Sequence, residues 1–144
     1  GLAMLRRDGF ASMKSGTRHG VLTTRPVTFQ GSHLFVNAAC TEGNLRVEIL
    51  DEEGEIIAPF SLDHCPAISA DQTLLPIQWE GGEDLSQLAG KTVRFRFHLD
   101  GGDLYSFWVS PDASGASGGY VAGGGPGFTG HRDTVGSAGY PAAN

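Results

Sequence analysis

The stretch VRFRFHL, residues 93–99, puts Val93, Phe95, Phe97 and Leu99 on one parity and Arg94, Arg96 and His98 on the other. Successive side chains of an extended strand point to opposite faces, so this heptad sends four apolar groups into a core and three cationic or titratable groups out of the other side. It predicts a half-buried strand. Three things answer to an outer face lined with arginine and histidine: a ligand, a neighbouring domain and plain solvent.

The same alternation recurs along the chain, and no long segment places apolar residues at the i, i+3, i+4, i+7 spacing of a helix. Candidate strands cover residues 4–13, 21–29, 33–39, 44–50, 73–79, 92–99 and 104–109. Between them lie turn-forming runs such as Gln30-Gly31-Ser32, Thr41-Glu42-Gly43, Glu80-Gly81-Gly82 and Asp100-Gly101-Gly102, and 50–55 reads as a hairpin tip. Asp84 to Leu88 is the one helical candidate, barely a turn, capped by Asp84 and ended by Gly90. Short strands around one core predict an all-β protein, an antiparallel β-sandwich of jelly-roll type with an irregular Gly-rich C-terminal tail. Parity names its interior: Leu34, Val36, Ala38, Leu45, Val47, Ile49, Leu75, Ile77, Trp79, Val93, Phe95, Phe97 and Leu99. In LYSFWV, Tyr105, Phe107 and Val109 are expected inside, leaving Trp108 beside the Arg/His stripe; burial of Trp108 under the Gly-rich tail is the competing reading.

At 144 residues the chain fits one domain with a substantial core. Of its 22 glycines, ten fall in residues 111–144, where Tyr120, Val121, Phe128, Val135 and Tyr140 are interleaved with them. A flexible linker carries few large apolar groups. The division is therefore a sandwich over 1–110 and a tail over 111–144 packed on it, against the alternative of a disordered tether.

A net charge of −6 and a pI near 5.2 argue against a phosphate-binding surface, so no nucleic-acid partner is expected. No apolar run reaches the length of a membrane helix, and GLAMLRRDGF lacks the apolar stretch and cleavage site of a signal peptide, so neither a membrane partner nor a leader is expected in this sequence. Cys40 and Cys65 have no framework spacing; one disulfide and two buried thiols both remain open.

Motifs for catalysis are missing. There is no GxSxG, no HExxH and no P-loop, and the run Gly123 to Gly127 lacks the spacing of a dinucleotide loop, so no cofactor is expected. His19, His33, His64, His98 and His131 are too scattered to pair as metal ligands, the acidic turns match no calcium loop, and no metal is expected. Asp8, Glu48 and Glu80 supply carboxylates for glycoside hydrolysis, but Arg94 and Arg96 nearby would hold a carboxyl ionised and spoil a general acid. Sugar binding suits the residue types better, since it combines an aromatic platform with planar polar groups. Arg6, Asp8, Arg46, Glu48, Arg94, Arg96, His98 and Trp108 make up the candidate binding face, the arginines donating paired hydrogen bonds to hydroxyls or a uronate and Trp108 stacking on a pyranose.

The run MLRRDGFASM from Met4, then Gly20 to Val27, GNLRVEILD from Gly43, Phe60 to Asp63, LSQLAGK from Leu85 and Leu104 to Trp108 resembles a C-terminal β-sandwich accessory domain. Such domains are appended to bacterial secreted glycoside-hydrolase-like proteins of the β-propeller type, related to sialidases and to fructan- and arabinan-cleaving enzymes. The resemblance spans residues 3–110. It implies a non-catalytic carbohydrate-binding module, extracellular or periplasmic, with a polysaccharide or oligosaccharide and the catalytic domain of a parent protein as partners. It also implies the alternative of a structural domain packed on the propeller or mediating self-association. The family's catalytic residues belong to the propeller, so none transfers to this chain.

Overall fold

The computed structural model describes residues 1, 5–82, 84–121 and 127–140. Among them are seven strands: β1 (Met13–Ser15), β2 (Gly20–Thr23), β3 (His33–Ala39), β4 (Asn44–Leu50), β5 (Asp71–Ile77), β6 (Arg94–Asp100) and β7 (Gly102–Ser110). They form two antiparallel sheets, one ordered β1-β7-β3-β5 and the other β2-β6-β4, packed as a β-sandwich.

The decisive heptad lies at the centre of the three-stranded sheet. Leu45, Val47 and Ile49 on β4 face Leu99, Phe97 and Phe95 on β6, and all six are buried together with Val93. Leu34, Val36, Ala38, Leu75, Ile77 and Leu104 complete the opposing layer. Phe107 of β7 bridges the layers, its ring 4.9 Å from Phe97 and 5.7 Å from Phe95. Burying each such side chain stabilises the fold by about 1.5–3 kcal/mol. Trp79 closes one end, its Nε1–H donating to the Val47 carbonyl at 2.9 Å and its ring edge-on to Phe60. Pro76, which cannot donate to a ladder, is tolerated because β5 is an edge strand.

Local chemistry sets the boundaries. β2 stops at Thr23, short of Pro26, after which pairing continues as the bridge between Val27 and Val93. Gly101 and Gly102, at φ +61° and +155°, turn the chain from β6 in one sheet into β7 in the other. Gly43 passes so close to this corner that a Cβ would sit 1.5 Å from the Asp100 carbonyl oxygen.

Three expectations are corrected. The long first strand shrinks to Met13–Ser15: residues 6–9 instead form a turn, with Gly9 N–H on the Arg6 carbonyl and Asp8 at φ +48°, while Met4 lies outside the described residues. On β7, Asn37 pairs with Ser106 but Ala38 pairs with Leu104, so Tyr105 is an extra residue that flips the parity. Leu104 is therefore core, and Tyr105 faces outward beneath the Arg6 guanidinium, 4.7 Å from its ring centre. The helical candidate after Asp84 is a three-residue 3₁₀ turn, Ser86–Leu88, whose leading N–H bonds the Asp84 carboxylate at 2.8 Å.

Beyond β7 the chain crosses the outer face of the four-stranded sheet. Gly115 lies against Phe35 and Leu74, accepting the Trp108 Nε1–H at 3.0 Å. A short 3₁₀ turn, Gly136–Gly139, follows. This segment is clasped to the N-terminal arm by one ion pair. The fully buried Asp133 carboxylate accepts from Arg7 (3.0 Å), from the Ser117 N–H and hydroxyl, and from the N–H groups of Val135 and Gly136. The Arg7 guanidinium also bonds the Tyr140 hydroxyl and lies against the rings of Phe128 and Tyr140. The glycine run at 123–125 lies outside the described residues.

Candidate functional site

The outer face of the three-stranded sheet is built by the residues opposite in parity to the core. From β4 come Asn44, Arg46 and Glu48; from β6 come Arg94, Arg96, His98 and Asp100; Thr23 of β2 lies across from Arg96. Register puts Glu48 directly opposite Arg96, and Arg46 opposite His98.

Glu48 is buried although it lies on an outer face, because its neighbours fold over it: its Oε1 accepts from Arg96 at 3.1 Å and from His98 Nε2 at 2.9 Å. A carboxylate held out of water persists only when so paired. Arg96 Nε also reaches the Thr23 hydroxyl at 3.3 Å, and Arg94 donates to the Thr24 carbonyl at 3.4 Å. Arg46 is exposed, and among the described residues its side chain has no hydrogen-bond partner.

The face continues over the end of the sheet. His19, on the link between β1 and β2, bonds Asp100 Oδ1 through Nδ1 (2.8 Å) and meets His98 Nδ1 through Nε2 (3.1 Å). Asp100 forms one wall of a cleft of about 510 Å³ with Gly16, Thr17, Arg18, Glu42 and Asn44. Asp100 was legible in principle, because it continues the parity of Arg94, Arg96 and His98; nothing in the local sequence marks His19.

Of the eight residues assigned to one binding face, the structure brings five together: Arg46, Glu48, Arg94, Arg96 and His98. Arg6, Asp8 and Trp108 are on the opposite side of the sandwich. Arg6 crosses the four-stranded sheet, donating to Asn37, Asp71 and the carbonyls of Ala38 and Gln72, so most of its hydrogen-bonding capacity goes into the fold. Asp8 belongs to the adjoining turn. Trp108 stacks on Phe35, with centroids 5.9 Å apart and planes within 15°, beneath the C-terminal segment. Among the described residues the arginine face accordingly has no Trp, Tyr or Phe platform.

The three carboxylates considered for hydrolysis do not converge either, since Asp8 is on the far side, Glu80 lies in a turn beyond β5, and Glu48 is bound by Arg96 and His98. Among the described residues no three His, Cys, Asp or Glu side chains are arranged to hold a metal ion; His19, His98, Glu48 and Asp100 form a line of hydrogen bonds instead of a convergent set. Cys40 and Cys65 are separate buried thiols, and burial pushes the Cys65 thiol up despite the Val47 N–H at its sulfur.

The chain was compared with protein-family models, curated proteins and solved structures. It matches none of them. What the face can do rests on its chemistry: exposed and half-exposed guanidinium groups in a row, the Glu48 carboxylate already neutralised by two of its neighbours, the Asp100 carboxylate bonded to His19 at the end of the sheet, and a polar cleft beside it. Such a surface attracts anions and donates planar pairs of hydrogen bonds to carboxylates.

Proposed function

We propose that this protein is a non-catalytic carbohydrate-binding module that holds an anionic, uronate-containing polysaccharide on the outer face of β2-β6-β4. The observation that carries the reading is charge segregation: in a chain of net charge −6, this face presents Arg46, Arg94 and Arg96 against two carboxylates, the buried Glu48 and Asp100 at the end of the sheet. Guanidinium groups bind carboxylates in paired geometry, whereas a neutral pyranose is best held by stacking on an aromatic ring. With Trp108 on the other sheet, the uronate mode is the one these residues support.

Resemblance to accessory domains of bacterial secreted glycoside-hydrolase-like proteins agrees with this role and adds an extracellular or periplasmic setting beside a catalytic propeller. The test is affinity electrophoresis in gels containing polymannuronate, polygalacturonate or a neutral glucan. Retention is expected in the polyuronates, weakened by salt and lost in the double variant Arg46→Ala/Arg94→Ala, with Trp108→Ala changing stability in place of retention. Equal mobility in all gels would overturn the reading.

A second reading, a packing face for a parent catalytic domain or another copy, draws on the β1–β2 edge. There Met13 and Val21, 59% and 55% exposed, border an apolar cleft of about 80 Å³ floored by Leu22, Phe97, Leu99 and Leu104. Light scattering that shows a dimer broken by Val21→Lys would favour it.

A further inference from the structure

The line of contacts across the face obeys a proton count. Asp100 bonds His19 Nδ1, His19 Nε2 meets His98 Nδ1, and His98 Nε2 bonds Glu48, whose same oxygen also takes Arg96. An ionised carboxylate only accepts, so His19 Nδ1 and His98 Nε2 must each carry a hydrogen. A neutral imidazole has a single N–H, and both are now used. The facing nitrogens, His19 Nε2 and His98 Nδ1, would then be two lone pairs 3.1 Å apart, which repel. One further proton between them turns the contact into a charge-assisted hydrogen bond.

We infer that His19 and His98 share one added proton, and that this proton is a catch: it pins the link between β1 and β2 to the end of β6 and adds a positive charge to the arginine face. The charged groups around the pair are Asp100 on β6, Glu48 and Arg46 on β4, Arg96 beside His98, and Arg18 and Glu42 across the end cleft. His98 is largely buried and fixed in its strand, whereas His19 is half exposed on its link, so His19 is the ring that moves. Loss of the shared hydrogen to base sets the two lone pairs against each other, leaves the link held to β6 by the His19 bond to Asp100 alone and removes one unit of charge from the face. For the polyuronate site proposed above, on which this consequence rests, binding weakens at alkaline pH while the uronates remain ionised throughout.

The experiment has two arms on the full chain. In ¹⁵N-detected NMR of the free protein, a through-bond coupling across the His19 Nε2 to His98 Nδ1 contact is expected at pH 6 and not at pH 8.5. Its loss in His19→Gln, with the remaining spectrum intact, would show that the variant folds. In the second arm, binding to polymannuronate is expected to be roughly three- to fivefold tighter at pH 5.5 than at pH 8, and His19→Gln to remove that dependence. Two singly protonated rings without coupling at pH 6 would overturn the catch, even if the polymer binds. Coupling present with no polymer binding at either pH would leave the catch standing and overturn the polyuronate reading.

Discussion

Replacing Asp133 by asparagine keeps the size of the side chain and removes one acceptor atom. In the wild type, Oδ1 serves the N–H groups of Val135 and Gly136, while Oδ2 serves Arg7 and both donors of Ser117. An amide turned either way points its NH₂ at one of these sets, leaving two or three donors without an acceptor in a site closed to water. Each unsatisfied buried group costs about 1–3 kcal/mol, and Arg7, partly exposed, recovers some of its share from solvent. The expected loss is about 3 kcal/mol. For a chain of this length that is roughly a 10 °C fall in melting temperature.

The pH dependence carries its own sign. Burial alone would raise the Asp133 carboxyl, but the Gly136 N–H, Arg7 and the Ser117 N–H outweigh it and hold it below the usual carboxylate range. Stability from a depressed carboxyl is complete above the unfolded value, about 3.9, and is lost as pH falls through the folded one. The gap between wild type and Asp133→Asn should therefore be full at pH 7 and close below about pH 4. Thermal denaturation across pH, with limited proteolysis to report release of the C-terminal segment, checks both. A variant that melts within about 1 °C of the parent at pH 7 and resists cleavage there would refute the clasp.

Other substitutions probe separate contacts. Gly43→Ala puts a Cβ onto the Asp100 carbonyl and is expected to cost about 3 kcal/mol, read as a lower urea midpoint, and to disturb the His19 contact to Asp100. Trp79→Phe removes the donor to Val47 and part of a buried ring; about 1–3 kcal/mol should be lost in chemical denaturation with no change in polyuronate retention. Cys40 and Cys65, both buried, should resist a thiol reagent in the native state and react together on unfolding, so rapid labelling of native protein would contradict their placement.

Alternation carried far where burial is one-sided. VRFRFHL and LRVEIL settle which side chains of β6 and β4 face inward, and hence that Glu48 and Arg96 share the outer surface, because a one-residue slip would turn every phenylalanine into water. What alternation cannot report is which sheet a strand joins. β6 and β7 are separated by a single residue, yet the corner at Gly101 sends them into opposite layers, so Arg96 and Trp108, both outward on their own strands, end on opposite sides of the molecule. The bulge at Tyr105 adds a parity change that no local pattern announces. Arg6 eluded the pattern for another reason: a long guanidinium can satisfy carbonyls of β3 and β5 without belonging to a strand. His19 is placed by a link whose path depends on the fold being already formed.

The clasp between Arg7 and Asp133 ties both arms of the chain to the layer that faces away from the arginines. A bead, a chip or a fluorescent protein joined to either arm would thus stand behind the module, with the basic side turned toward the medium. Orientation during immobilisation is built in, and the outer face of β2-β6-β4 stays open without any engineered spacer.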